Sequence, residues 1–337
     1  PKAKQGDKRM NFFAKSLGGI ASVVAVSLTA GTTLAAEKWD MPLAYPASNY
    51  HSETAAAFAE AVTKASGGEL EIVTHPGGSL FGGGEIYRAV RTGQAPIGER
   101  LISALGNEDP LFEIDALPFL ATSFEEARKL YDASKPQLEK TLDEAGLKLL
   151  YAVPWPPQGL YNKKEVASAA DMQGVKFRAY NAATSRLAEL MGAVPTKIEA
   201  AELTQAFATG VADSMISSGS TGYDSKIWEH VKYWYDVQAW LPKNMIIVNK
   251  ASWDGLSADL QKVVLEAAAN AEQAGWAKAQ ELSDWYKDQL AANGMVVEGP
   301  SDKLKADFQQ IGATMTEEWL ERAGDSGKAV IDAYKAK

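Results

Sequence analysis

Apolar positions along the chain switch repeatedly between a two-residue and a helical period. Residues 38–44 put Trp39, Met41 and Leu43 on one face, the alternation of a strand. Residues 51–65 carry Ala56, Phe58, Ala59 and Val62 at helical spacing and stop at Gly67-Gly68. The succession continues with a strand over 70–73, a helix over 85–91, a strand over 95–102, a helix over 123–145 with Glu125 and Glu126 near its positive end, and a strand over 147–153. Strand and helix units joined by short loops predict an α/β fold, with a largely parallel sheet and helices on both faces.

The second half opens on Trp155-Pro156-Pro157-Gln158-Gly159, where two prolines impose a rigid, non-helical bend. This is the expected crossing between two lobes. Gly174 then turns the chain, and Val175, Phe177 and Ala179 alternate with Lys176, Arg178 and Tyr180 as a short strand. Asn181 caps the apolar-periodic run that follows, so a strand leads straight into a helix. Residues 239–249 read as a strand returning to the first lobe, from which Trp240 and Asn244 reach the cleft. Ser257 caps a helix that runs without proline to Ala292, where Asn293-Gly294 stops it. At 1.5 Å per residue it spans roughly 50 Å, more than one small lobe needs. Its many Ala positions and lack of sustained Leu heptads argue against a coiled coil. Residues 295–297 form a last strand, and 303–323 and 327–335 are helices packing on the second lobe.

The start of the chain has its own pattern. Residues 1–9 are polar and basic and read as an upstream extension. From Met10 a basic flank, the small-apolar run 18–30 and Thr33-Leu34-Ala35-Ala36 form a secretory leader, cut after Ala35 or Ala36. The apolar run is too short for a bilayer, which takes roughly 20 residues; an uncleaved N-terminal anchor is the alternative. Residues 37–337 carry a formal charge of −13 against −9 for the whole chain. That balance argues against nucleic acid and against anionic membrane as partners, and the mature chain is expected to stay out of the bilayer. With no Cys, disulfides, thiolate metal sites and Cys nucleophiles are excluded. The three His are scattered, and neither a metal site nor a cofactor site is expected. The loop 76–84 holds five glycines but lacks the order of a phosphate-binding loop.

Arg178 is the residue with the clearest chemistry. It stands near a strand's carboxyl end beside a helix N-terminus, where open α/β sheets bind ligands and where an anion, most naturally a carboxylate, is held. Asp171-Met172-Gln173-Gly174-Val175-Lys176-Phe177-Arg178, then Asn181, Met191-Gly192-Ala193-Val194-Pro195 and the run from Glu202 to Asp213 together resemble the solute-binding proteins of TRAP-type transporters, the DctP-like family. His75-Pro76-Gly77-Gly78-Ser79-Leu80, Ala116-Leu117-Pro118-Phe119-Leu120 and Asn249-Lys250-Ala251-Ser252-Trp253 extend the resemblance from Trp39 to about Tyr334.

The resemblance implies a two-lobed periplasmic-binding-protein (Venus flytrap) fold with the long helix bracing both lobes. Lobe I is expected over 37–158 and 247–285, and lobe II over 159–246 and 286–337. It implies an extracytoplasmic receptor in the periplasm that captures an organic acid and delivers it to the small and large subunits of a TRAP permease. Arg178 then pairs with the ligand carboxylate. Ser217, with Ser218 beside it, stands where the family places a polar partner for the same carboxylate; a Ser/Gly turn capping the next helix is the other reading. Asn181 is a further candidate donor. Ser48, Asn49 and Tyr50 either line the site or do turn and cap work, and Trp155 is either a stacking wall or core. Tyr161 stands about where many members carry a second Arg, a departure that favours one carboxylate on a less charged body. An aromatic acid, a hydroxy acid and a small 2-oxo acid all remain open. A ligand-sensing module shares this chemistry. A secreted hydrolase would need a nucleophile and base that the sequence does not assemble.

Overall fold

The computed structural model describes residues 36–336; the leader lies outside them. Strand β1 (Glu37–Pro42), helix α1 (Tyr50–Ala65), β2 (Leu70–His75), α2 (Ile86–Arg91), β3 (Ile97–Leu101), α3 (Phe124–Glu144) and β4 (Leu147–Pro154) form the first half. The second half holds β5 (Gly159–Asn162), β6 (Lys176–Ala179), α4 (Ala182–Leu190), β7 (Val194–Lys197), α5 (Leu203–Ala208), β8 (Ser214–Ser217), α6 (Gly219–Asp224) and β9 (Tyr233–Tyr235). Then come β10 (Lys243–Asn249), α7 (Lys250–Gly255), α8 (Ala258–Ala292), β11 (Val296–Glu298) and α9 (Asp302–Lys335).

The sheets are more mixed than the strand and helix succession predicts. β1 and β2 pair in parallel, but β10 inserts antiparallel between β3 and β4. It does so because it comes back from the second half and enters the first sheet from the opposite end. The six-stranded sheet has the order β11-β9-β5-β8-β6-β7. There β6 is parallel to both β7 and β8, while β5 runs antiparallel between β9 and β8. The carboxyl ends of β6, β7 and β8 therefore open on one edge.

Two crossing segments join the halves and are hydrogen-bonded to each other. Trp155 N–H donates to Pro242 C=O, Gln158 N–H to Trp240 C=O, and Ala239 N–H to Gln158 C=O, all at 2.8–3.0 Å. The Pro156-Pro157 bend expected from sequence is thus one rail of a paired connection.

Helix α8 begins at its Ser257 cap and ends at Asn293, as the capping residues dictate. It packs on α1 and β4 in the first half and on α6 and β11 in the second. Helix α9 is interrupted at Gly324, whose φ of 56° only glycine adopts without strain. It is not confined to the second half. Trp319 Nε1 donates to Pro110 C=O, Tyr334 Oη donates to Leu120 C=O, and Trp319, Val330 and Ile331 share a core with Leu117 and Leu130. Burying that apolar stripe required a partner face, and α3 supplies it.

The close seat of α8 on the first half depends on Gly275. A Cβ there would lie 2.5 Å from Val153 Cγ2 and 3.3 Å from Thr54 Cγ2. Gly275→Ala gains roughly 1 kcal/mol of helix propensity but overpacks a β-branched neighbour at ~1–3 kcal/mol. We expect a lower thermal midpoint for Gly275→Ala, restored in part by adding Val153→Ala. A midpoint at or above wild type would show that α8 does not need this contact.

Candidate functional site

A cleft lies between the two halves. Strand ends build it. β1 leads to Ala44 and Tyr45, and β3 ends at Arg100 and Leu101; β6 supplies Arg178 and leads to Tyr180, β7 leads to Glu199, and β8 ends at Ser217. Trp155 and Gln158 come from one crossing segment and Pro242 from the other.

Arg178 sits at the centre with 4% of its surface exposed. Its Nε donates to the Ile198 carbonyl at 2.9 Å, which fixes the plane of the guanidinium. Neither Nη has a hydrogen-bond or ion-pair partner among the described residues. Burial lowers the Arg178 pKa, while Tyr180, Tyr45 and Glu199 act in the opposite sense. An Arg does not deprotonate under such pressure, so the site holds a desolvated cation with both Nη groups unused. Ser217, 3% exposed, lines the same cleft and makes no side-chain hydrogen bond among the described residues.

The apolar wall is aromatic. The Trp155 ring meets Tyr45 edge-on at 4.7 Å and lies 4.1 Å from the His51 ring. Trp155 Nε1 donates to Asn244 Oδ1 at 2.9 Å, and Asn244 Nδ2 donates to Glu99 Oε1 at 3.1 Å. Trp240 Nε1 donates to Tyr180 Oη, which donates in turn to Gln158 Oε1. Behind this wall burial pushes the Glu99 carboxyl up to about 7, opposed by the bond from Asn244, and holds the His51 imidazole well below its ordinary value.

Of the residues singled out from sequence, Arg178, Ser217 and Trp155 line the cleft. Trp240 and Asn244 are one layer behind, orienting Tyr180 and Trp155. The others have different work. Tyr161 is fully buried, packs on Trp234 and donates to the Ser218 carbonyl. Its register opposite Met215, which also pairs with Arg178, puts it on the same sheet face as Arg178, but its ring is packed into the core with Met215 and Trp234 and does not line the cleft. Ser217 ends β8, and Ser218 after it caps α6, its hydroxyl accepting from Thr221 N–H. Asn181 caps α4 through Thr184 N–H and donates to Ser103 Oγ across the halves. Ser48 is an exposed turn residue. Asn49 caps α1 and donates to Asp224 Oδ2 at 2.7 Å, and Tyr50 Oη donates to the Pro154 carbonyl.

Sequence reasoning missed Arg100, Glu199, Tyr45, Tyr180 and Gln158. Arg100 ends a strand just as Arg178 does, so the same argument would have found it. Glu199 follows β7, where exposed Val194 and Pro195 hide the strand signal. Arg100 Nη1 donates to the Gly83 carbonyl and lies 3.7 Å from Glu199 Oε2.

The profile of bacterial extracellular solute-binding proteins, family 7 (DctP), matches residues 43–322. The ectoine/5-hydroxyectoine-binding periplasmic protein UehA of Ruegeria pomeroyi is 24% identical over 329 residues, covering 94% of this chain and 95% of the relative. A marine-metagenome TRAP solute-binding protein specific for pyroglutamate, solved with co-purified pyroglutamate, is 53% identical with a TM-score of 0.89, over 90% of this chain and 99% of that one. DctP6 of Bordetella pertussis, an extracytoplasmic solute receptor binding pyroglutamic acid, is 49% identical with a TM-score of 0.88, over 89% of this chain and 100% of that one. This is a class of receptors, and the hydrolase alternative falls with it. With most of its length matched and its cleft set at the strand ends between two halves, the chain belongs to family 7 of the bacterial extracellular solute-binding proteins, the DctP-like receptors of TRAP transporters.

Proposed function

We propose that this protein is a periplasmic receptor for pyroglutamate, held by its carboxylate on Arg178 and passed to the two membrane subunits of a TRAP permease. The observation that carries the reading is a buried guanidinium with both Nη groups unused. A carboxylate accepting from both would form the forked pair that Arg favours over Lys. Ser217 supplies a neutral donor beside it, worth about 0.5–1.5 kcal/mol. Tyr45, Trp155 and Tyr180 form an apolar slot suited to a small flat ring. Two relatives at 49% and 53% identity bind the same cyclic acid, which narrows the open choice among organic acids.

Lobe I is taken as 37–158 and 247–285, and lobe II as 159–246 and 286–337, with α9 reaching back onto α3 of lobe I. The paired crossings at 155–158 and 239–242 are the hinge. Ligand favours the shut form only by binding it better than the open one. Asn49–Asp224 and Asn181–Ser103 are contacts that opening would break. The protein reaches its compartment through cleavage of the leader. No helix among the described residues is long and apolar enough to cross a membrane.

Two outcomes are expected. In calorimetry with pyroglutamate, Arg178→Ala should lose ~30- to several-thousand-fold in affinity, about 2–5 kcal/mol, and Arg178→Lys should recover only part of it. Wild-type affinity in Arg178→Ala would remove the residue from the site. When the full chain is expressed in a Gram-negative host, osmotic shock should release a protein that starts at Ala36 or Glu37 by N-terminal sequencing. Membrane retention with the leader intact would instead mean an anchor.

A further inference from the structure

The cleft contains two guanidinium groups, yet their surroundings differ. Arg178 has no acidic partner, whereas Arg100 faces Glu199. Glu199 is held closely. A Cβ on Gly83 would lie 3.3 Å from Glu199 Oε2, and one on Gly84 would lie 3.2 Å from Oε1. Glycine at both positions lets the loop backbone close over this carboxylate. The other cation near it, Lys197 at 3.9 Å, is 60% exposed and is not part of the cleft lining. The remaining titratable groups of the lining, half-buried Tyr45 and buried Tyr180, are pushed above their ordinary values, so they stay neutral. Arg100, Arg178 and Glu199 thus leave the cleft with a single net positive charge.

We propose that Glu199 is the specificity-determining residue of the cleft, cancelling Arg100 so that only a monocarboxylate with an uncharged body is accepted. This rests on the reading of Arg178 as the carboxylate seat. A ligand with one carboxylate on Arg178 neutralises the cleft. A second carboxylate adds a further negative charge to a cleft that already holds Glu199, and like charges brought together out of water are strongly unfavourable. A ligand N–H that reaches Glu199 instead finds an acceptor. Pyroglutamate carries its N–H next to the carboxylate-bearing carbon and ends in a neutral lactam carbonyl, whereas the open-chain dicarboxylate of the same carbon count, glutarate, has no N–H and ends in a second carboxylate. Glu199 also acts at a distance on Arg178, supporting its charged form.

The test is calorimetry of wild type, Glu199→Gln and Arg100→Gln with pyroglutamate and with glutarate, alongside thermal melts. Wild type should bind pyroglutamate and reject glutarate. Glu199→Gln should weaken pyroglutamate roughly tenfold, by loss of a charged acceptor, and strengthen glutarate roughly tenfold or more. Arg100→Gln leaves Glu199 unopposed beside the bound anion and should weaken pyroglutamate roughly tenfold or more, which keeps the test alive if Glu199→Gln does not fold. A wild type that prefers glutarate overturns the reading of the site and this inference together. A wild type that prefers pyroglutamate, with the same preference in Glu199→Gln or unchanged affinity in Arg100→Gln, overturns the role of Glu199 alone.

Discussion

A guanidinium taken out of water without an anion is the constraint around which this protein is arranged. Arg178 is anchored through Nε to the Ile198 carbonyl and presents its two other nitrogens to the cleft. Leaving a buried charge unpaired is expensive, and a ligand that supplies the missing carboxylate removes that expense. The strand carrying Arg178 runs parallel to both neighbours, so their carboxyl ends bring Ser217 and Glu199 to the same edge. Three strand ends thereby converge on one cleft.

The rest of the fold serves that convergence. The paired crossings fix one side of the cleft while allowing the halves to be distinct bodies. The inward strand β10 is held by Asn244, whose amide links the indole of Trp155 to the buried Glu99. A ring lining the cleft is therefore tied to the first sheet by a hydrogen bond and cannot swing aside freely. Helix α8 touches both halves and leans on the first through Gly275, so it is a shared support.

Local chemistry was legible in the sequence, and tertiary choices were not. The Asn181 and Ser257 caps and the Asn293-Gly294 stop are written in a few adjacent residues, and the structure uses them that way. Arg178 was legible because a strand end next to a helix start is itself a local pattern. The facing of single residues was not. Ser217 and Ser218 are equivalent by composition, and only the point where β8 ends and α6 begins leaves one hydroxyl to the cleft and gives the other to the α6 cap. Asn49 and Asn181 carry side chains suited to a ligand but spend them on helix ends and on the opposite half. The antiparallel insertion of β10 depends on the route of the chain between halves, which no period of apolar residues encodes. Glu199 was hidden because its strand is short, partly exposed and contains proline.

The most direct measurement is a high-resolution crystal structure of the protein with pyroglutamate bound. The account predicts the carboxylate accepting from both Nη groups of Arg178, at roughly 2.7–2.9 Å, with the ring between Tyr45, Trp155 and Tyr180. A ligand whose carboxylate lies elsewhere, with water or no atom at the Arg178 nitrogens, would contradict it.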